Sequence, residues 1–157
     1  MAGAVTLPSA LALELEPVRA LLEETTTLAL ATRSADGTPR ATPLYFAADA
    51  ELRLIFLSDP ASVHSLNADV DGRASVALYP EEGDWRRLRG LQMAGGVEKL
   101  GGAEAEAARG IYARRFPFIG QLAEALAASA VYAFQPTWIR LIDNRRGFGF
   151  QQEWSLG

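Results

Sequence analysis

The chain holds one histidine, His64, in a run of side chains able to handle protons and anions: Ser58-Asp59-Pro60-Ala61-Ser62-Val63-His64-Ser65. Two hydroxyls followed by an imidazole can serve three different ends. The first is nucleophilic catalysis, in which a serine is activated by a histidine that an acid orients. No nucleophile-elbow signature accompanies these residues, and neighbours on one helix rarely face one another. The second is capture of a small anion. Ser58 or Asp59 is the expected N-cap and Pro60 the expected first helical residue, which leaves the amides of Ala61, Ser62 and Val63 pointing outward. Those N–H groups, the helix dipole, the Ser62 hydroxyl and an imidazole with an ordinary pKa of about 6.5 together suit a phosphate. The Asp59 carboxylate opposes that use unless it turns away. The third is a capped surface helix carrying an unremarkable histidine, and residue types alone favour this one over the anion site.

Composition removes other chemistries. With no cysteine and one histidine, the chain excludes disulfides, thiolate catalysis, iron–sulfur clusters and a His- or Cys-built metal site within one subunit. Fifteen basic against nineteen acidic side chains leave a net charge of −4, which argues against collecting a nucleic-acid backbone. The apolar share of 49% and charged share of 22% are those of a soluble globular protein, and 157 residues suffice for one domain, 1–157, with a sizeable core. No apolar run reaches membrane-spanning length, and Glu14 and Glu16 interrupt the N-terminal stretch, which reads as a folded helix and not a signal peptide. A cytoplasmic protein without membrane association is expected.

The elements that must position His64 follow from periodicity. Ser9 is a candidate N-cap for a first helix with Leu11, Leu15, Val18 and Leu22 on one stripe. Threonine-rich 25–33 predicts a strand, Asp36-Gly37 a hairpin turn, and 38–47 a second strand that Pro39 and Pro43 restrict to an edge or a bulge. Residues 52–58 predict a third strand, and the segment bearing His64 a short helix ending at Gly72. Strands follow at 73–80 and 85–100, the latter with bulges at Gly90 and Gly95-Gly96. Helices are expected at 102–116 and 119–129, then two short strands across 130–143 parted at Pro136, then a glycine-rich turn and tail. The expectation is an α+β fold, a six-stranded antiparallel split β-barrel with flanking helices.

Other residues have both a structural and a functional use. Trp85, Trp138 and Trp154 can stack a planar ligand, although large aromatics in a barrel more often anchor core or interface. Arg86, Arg87 and Arg89 read as a solvated charge run. Arg145 and Arg146 sit in a turn from which they can reach a ligand, and Gln92 needs a partner if buried.

The order of the segments "LALATRSADGTPRATPLYFAAD", "LRLIFLSDPASVHSLNAD", "RASVALYP" and "LRGLQMAGGVEKL" resembles the pyridoxamine 5′-phosphate oxidase-like split barrels, over about residues 25–100. The tail "WIRLIDNRRGFGFQQEW" is similar to that of a mostly uncharacterised bacterial subgroup. The resemblance implies a homodimer with FMN at the subunit interface. By position, Thr42 falls where that family has an arginine, Ser58 and Ser62 on its hydroxyl positions, and His64 where it has a lysine. Leu44 and Tyr45 would lie along the flavin ring. Gln92 sits on a strand that supplies further contacts, and Arg145, Arg146 and Trp154 are candidates to complete the site from the second subunit. Thr42 and His64 thin the phosphate clamp, which Arg40, Arg145 or Arg146 can restore.

The implied activity is an FMN-dependent oxidoreduction of a small-molecule substrate, with no catalytic acid or base indicated. Pyridoxamine phosphate is not the expected substrate, because "EWSLG" lacks the arginine- and histidine-bearing pattern of the true oxidase. A flavin-sequestering protein and a cofactor-free dimeric barrel are the alternatives.

Overall fold

Leu15, Val18, Leu21 and Leu22 form the buried stripe expected of the first helix, yet that helix comes in two pieces. A computed structural model describes residues 7–157, so the first six residues of the N-terminal stretch lie outside it. Helix α1 spans Ser9–Glu14 and α2 spans Glu16–Glu24. Pro17 explains the break, since a proline removes one helical N–H and is tolerated only in a first turn. Pro8, not Ser9, occupies the N-cap position of α1.

The strands are β1 (Thr27–Arg33), β2 (Pro39–Tyr45), β3 (Ala47–Ala48), β4 (Leu54–Ser58), β5 (Arg73–Leu78), β6 (Arg89–Lys99), β7 (Ala130–Asp143) and β8 (Gln151–Ser155). Helix α3 (Val63–Val70) follows β4, and α4 (Gly102–Arg115) and α5 (Ala123–Leu126) lie between β6 and β7. The strands form one sheet in the order β2-β1-β5-β6-β7-β4-β3, with β8 also on β7, and every pairing is antiparallel. Strand β2 runs through Phe46 into β3, so the two ends of that order belong to one continuous stretch and the sheet curls into a split barrel. Among the described residues no helix is long and apolar enough to cross a membrane.

Eight strands replace the six expected. Strand β3 is a two-residue pairing inside a predicted turn, and β8 forms from the predicted tail. Strand β7 is unbroken through Pro136, because it takes up the irregularity as a bulge at Thr137, where the register with β6 shifts between Ala94 and Gly95. A Cβ on Gly95 would lie 2.0 Å from the Gln135 carbonyl oxygen, so only glycine fits there. Gly90 lies in unshifted register and is not a bulge. Residues 85–87 form a 3₁₀ turn before β6, with the Asp84 carboxylate accepting from the Arg86 N–H at 3.0 Å. The helix expected at 119–129 reduces to a 3₁₀ segment, Pro117–Leu122, and the four-residue α5. Neither buries a residue, so packing gives a longer helix no support.

Strand β4 is buried on both faces, as a continuous apolar run requires. Leu54 and Phe56 face the barrel interior with Leu28, Leu30, Val76, Met93 and Tyr132, where Phe56 and Tyr132 stack at 5.5 Å and 11°. Ile55 faces a second cluster under α4 with Val131, Ala133, Ala108, Tyr112 and Phe116.

Strand β2 is an edge strand, as its prolines predicted. Gly37, at φ +87°, makes the β1–β2 hairpin turn. The Phe46 N–H donates to the Thr26 carbonyl, and Leu44, Thr42 and Arg40 are paired opposite Leu28, Leu30 and Thr32. Backbone groups two residues apart point the same way in an antiparallel ladder. The even-numbered residues of β2 therefore bond to β1, and Pro39, Ala41, Pro43 and Tyr45 turn theirs to the open edge.

Candidate functional site

The open edge of β2 faces the start of α3. Between them lies a cavity of about 210 Å³ lined by Arg40, Ala41, Thr42, Val63 and His64. Helix α3 begins at Val63 with Ser62 as its N-cap, about one helical turn later than residues 58–60 suggested. Pro60 and Ala61 instead belong to a turn in which the Asp59 carboxylate accepts from the Ala61 N–H at 2.9 Å and the Ser62 N–H reaches the Asp59 carbonyl. This local bonding competes successfully with a helix start, as aspartate in a turn commonly does. It also holds the Asp59 carboxylate on its own backbone, and Asp59 does not line the cavity.

The later start changes which groups are free. The first helical bond is Leu66 N–H to the Ser62 carbonyl. The amides of Val63 and His64 therefore lack intrahelical partners, in place of those of Ala61 and Ser62. The Ser65 amide is answered by the Ser62 hydroxyl at 3.4 Å.

Beneath the cavity three serines and the histidine share one hydrogen-bond cluster. His64 Nε2 is 2.6 Å from Ser58 Oγ and 3.3 Å from Ser62 Oγ, and the two serine oxygens are 3.1 Å apart. Ser65, almost wholly buried, donates to Ser58 at 3.2 Å and accepts from Ser62 at 2.7 Å. The end of β4 supplies Ser58 and α3 supplies the rest. Asn67, one turn further along α3, ties the helix to the β1 hairpin through Thr32 and Ser34 at 3.1 and 3.2 Å. Burial pushes the His64 imidazole below its ordinary pKa, so without a ligand the ring is neutral at pH 7 and its charge is available only to an anion that stabilises it.

Of the residues the sequence singled out, the structure brings together Thr42, Ser58, Ser62 and His64. Leu44 packs half-buried against the core. Tyr45, 50% exposed, lies at the far end of β2 with its ring edge-on to Phe116 and Phe118, each at 5.5 Å. Within one chain the remaining candidates are elsewhere. The exposed Gln92 accepts from Arg140 at 3.3 Å on the outer face of the sheet. Arg145 is committed to Asp143 through two bonds of 2.9 and 3.0 Å, and Arg146 lies over the Phe150 ring at 4.1 Å. Trp154 is a core residue on β8 whose indole N–H donates to Glu14 at 3.3 Å.

The residue that matters beyond these is Arg40. It reaches the cavity from the same face of β2 as Thr42, two positions away, and supplies the guanidinium that Thr42 lacks. The period-2 alternation of a strand carries this signal, because Arg40 and Thr42 must share a face. The site thus offers one fixed positive charge, one inducible charge, free helix N–H groups and hydroxyls, which is the donor set for a phosphate monoester.

Comparisons with known proteins bear on the family and the fold that carry this cavity. The family model for pyridoxamine 5′-phosphate oxidase matches residues 15–143. A UPF0306 protein of Citrobacter koseri is 41% identical over 68 residues, and that match spans 43% of each chain. The UPF0306 protein YhbP of Salmonella paratyphi A is 31% identical over 101 residues, covering 64% of this chain and 65% of its own length. The chain thus spans less than two thirds of these relatives in alignment. Among solved structures, a heme binding protein of Mycobacterium smegmatis superposes with a TM-score of 0.76 at 22% identity, over 96% of this chain and 60% of that one. An FAD-binding protein of Mesorhizobium loti superposes with a TM-score of 0.65 at 20% identity, over 85% of this chain and 92% of its own. With the family model covering most of the curled sheet, including β2, β4 and the start of α3, the chain belongs to the pyridoxamine 5′-phosphate oxidase family.

Proposed function

We propose that this protein is a homodimeric, single-domain, cytoplasmic FMN-dependent oxidoreductase acting on a small molecule. The observation that carries the reading is the arrangement along one strand. A phosphate-suited cavity at Arg40, Thr42 and His64 lies at one end of β2. An exposed aromatic ring, Tyr45, stands five residues on, roughly 17 Å at about 3.4 Å per residue. A ligand with an anion at one end and a planar ring at the other suits that spacing. Arg40, His64, Ser58, Ser62 and the α3 amides would hold the phosphate. The open-edge amide of Ala41, at the cavity, would join them, and that of Tyr45 would meet the polar edge of the ring. Bound FMN would supply two-electron redox chemistry, and the protein's task is to bind and orient it.

The dimer is supported by the outer face of the sheet. Ala31, Ser75 and Ala94 form one cross-strand row and Ala29, Ala77 and Gln92 the next, a flat patch of mostly small side chains. Beside it, Trp85 and Phe148 stand 57% and 84% exposed in edge contact at 5.7 Å. They are held by Asn144, which donates to the Trp85 carbonyl at 2.7 Å. A rigid aromatic pair left in water is typical of a surface awaiting a partner. Arg145, Arg146 and Gln92 would act on the flavin only across such an interface, whereas Trp154 is taken up by the core of its own chain. A heme site, as named for some structural neighbours, has less support, because the single imidazole has its Nε2 turned to Ser58 and Ser62.

Titration of the purified protein with FMN tests the proposal. One flavin per chain, with quenched fluorescence and release on denaturation, is expected. A protein that fails to bind added FMN removes it. Reduction of the bound flavin by NAD(P)H and reoxidation by an acceptor marks an enzyme, whereas tight binding without turnover marks sequestration.

A further inference from the structure

Past the ring end of β2 the structure holds a second feature, of which the flavin reading uses Tyr45 alone. Tyr45, Tyr112, Phe116 and Phe118 form one aromatic cluster, with Tyr112–Phe116 at 4.9 Å and Phe116–Phe118 at 5.4 Å in addition to the two contacts of Tyr45. Two of the rings come from α4 and its end, and Phe118 from the 3₁₀ segment Pro117–Leu122. Phe116 and Tyr112 are buried, Phe118 is half-buried and Tyr45 is half open to solvent. The cluster therefore has a solid aromatic floor and an accessible lip. Burial, and after it the neighbouring Tyr45 phenol, raises the Tyr112 pKa, so the Tyr112 hydroxyl works as a neutral donor and acceptor.

The guanidinium stacked on the cluster is turned elsewhere. Arg115 lies over the Phe46 and Phe116 rings at 5.6 and 5.8 Å, and its guanidinium donates to the carbonyls of Glu23 (3.0 Å) and Thr25. The nearby Arg53 is likewise committed, to Asp49 and Glu104. The phosphate-suited charges sit at the opposite end of β2. An anionic group brought to the aromatic end would lose water beside a guanidinium already bonded to two carbonyls, whereas a neutral ring gains contact with the accessible rings of Tyr45 and Phe118.

We infer that the substrate of this site is an uncharged planar aromatic molecule, received between the bound flavin and the Tyr45–Phe116–Phe118 cluster, and not a phosphorylated or carboxylated one. The inference rests on the flavin reading above for the second wall and on the cluster alone for the first. Phe118, on the 3₁₀ segment Pro117–Leu122, forms the lip of the cluster together with Tyr45.

A matched probe pair tests this. 2-Naphthol and 2-naphthyl phosphate share one ring system and differ by the anion. With FMN-loaded protein, 2-naphthol is expected to perturb the flavin absorbance and to bind at least tenfold tighter than 2-naphthyl phosphate. Phe118→Ala should weaken naphthol binding several-fold with FMN affinity unchanged, and Phe118→Arg should shift the preference toward the phosphate. Equal or tighter binding of the phosphate by the wild type, or no response to either variant, overturns the inference. Should FMN fail to bind, the flavin reading falls first. The same two probes are then compared on the flavin-free protein by saturation-transfer NMR, where naphthol contacts to the Tyr45 and Phe118 rings uphold the cluster as the receptor and their absence refutes it.

Discussion

Replacing His64 by alanine gives the most discriminating test of the phosphate cradle, because its effect must depend on pH. In the free protein burial holds the imidazole below its ordinary value of about 6.5, and its Nε2 rests on Ser58 and Ser62. A phosphate in the adjoining cavity favours the imidazolium, so binding draws a proton onto His64. At pH 5.5 the lost contact is a charge-assisted hydrogen bond of about 1.5–3 kcal/mol, which at about 1.4 kcal/mol per decade is an affinity loss of about 10–150-fold. At pH 8 the ring is neutral and the lost bond is nearer 1 kcal/mol, about fivefold. Flavin fluorescence quenching measured at both pH values reads the ratio of wild-type to variant affinity, from which the titration of the FMN phosphate itself cancels. His64→Lys, with a fixed charge, should bind FMN at pH 8 at least as tightly as the wild type. A wild-type to alanine ratio that stays constant across the range, or equals one, refutes the assignment.

Arg40→Ala should weaken FMN binding by about tenfold or more, the cost of one charge-assisted contact, and should flatten its salt dependence. Gly95→Ala forces a methyl onto the Gln135 carbonyl and should cost about 3 kcal/mol or more, read as a large fall in melting temperature or loss of folded protein. Asp49→Ala removes an acceptor of the Glu51 and Arg53 N–H groups and of the Arg53 guanidinium, at 3.0, 2.8 and 2.7 Å. It should lower stability by about 2–4 kcal/mol in urea denaturation. Because the folded His64 pKa lies below the unfolded one, the unfolded chain takes up the proton first. The FMN-free protein should therefore lose stability as pH falls from 6.5 toward the folded pKa, and His64→Gln should remove that component.

The barrel was legible in the sequence because its signals are local. Asp36-Gly37 announces the hairpin, Pro39 and Pro43 announce an edge, and the apolar run within 52–58 and the strand propensity of 73–80 announce strands. The two additional strands were not legible: β3 is two residues long, and β8 exists only because β7 offers it an edge. The helix start at Val63 was misjudged because Asp59 and Ser62 are both good caps, and the choice depends on the Asp59 turn, which tertiary packing settles. Within the site, His64, Ser58, Ser62 and Thr42 were readable from chemistry and position. Arg40 was undervalued because position-by-position matching looked for the missing charge at residue 42, when strand periodicity made residue 40 equivalent. The Tyr45–Phe118 contact joins residues 73 apart in sequence, and nothing in either segment foretells it.

The two prolines of β2 have a meaning beyond the site. An unpaired strand edge is a template on which another chain's strand can grow, and proteins that keep one open run the hazard of polymerising through it. Here the edge must stay open if a ligand is to use it. Pro39 and Pro43 delete two of the four outward donors and leave those of Ala41 and Tyr45. A foreign strand would find every second donor missing and gain less by docking. A ligand needing one or two isolated donors loses nothing. The same residues that weaken β2 as a strand thus act as gatekeepers, separating small-molecule access from self-assembly along a single stretch of backbone.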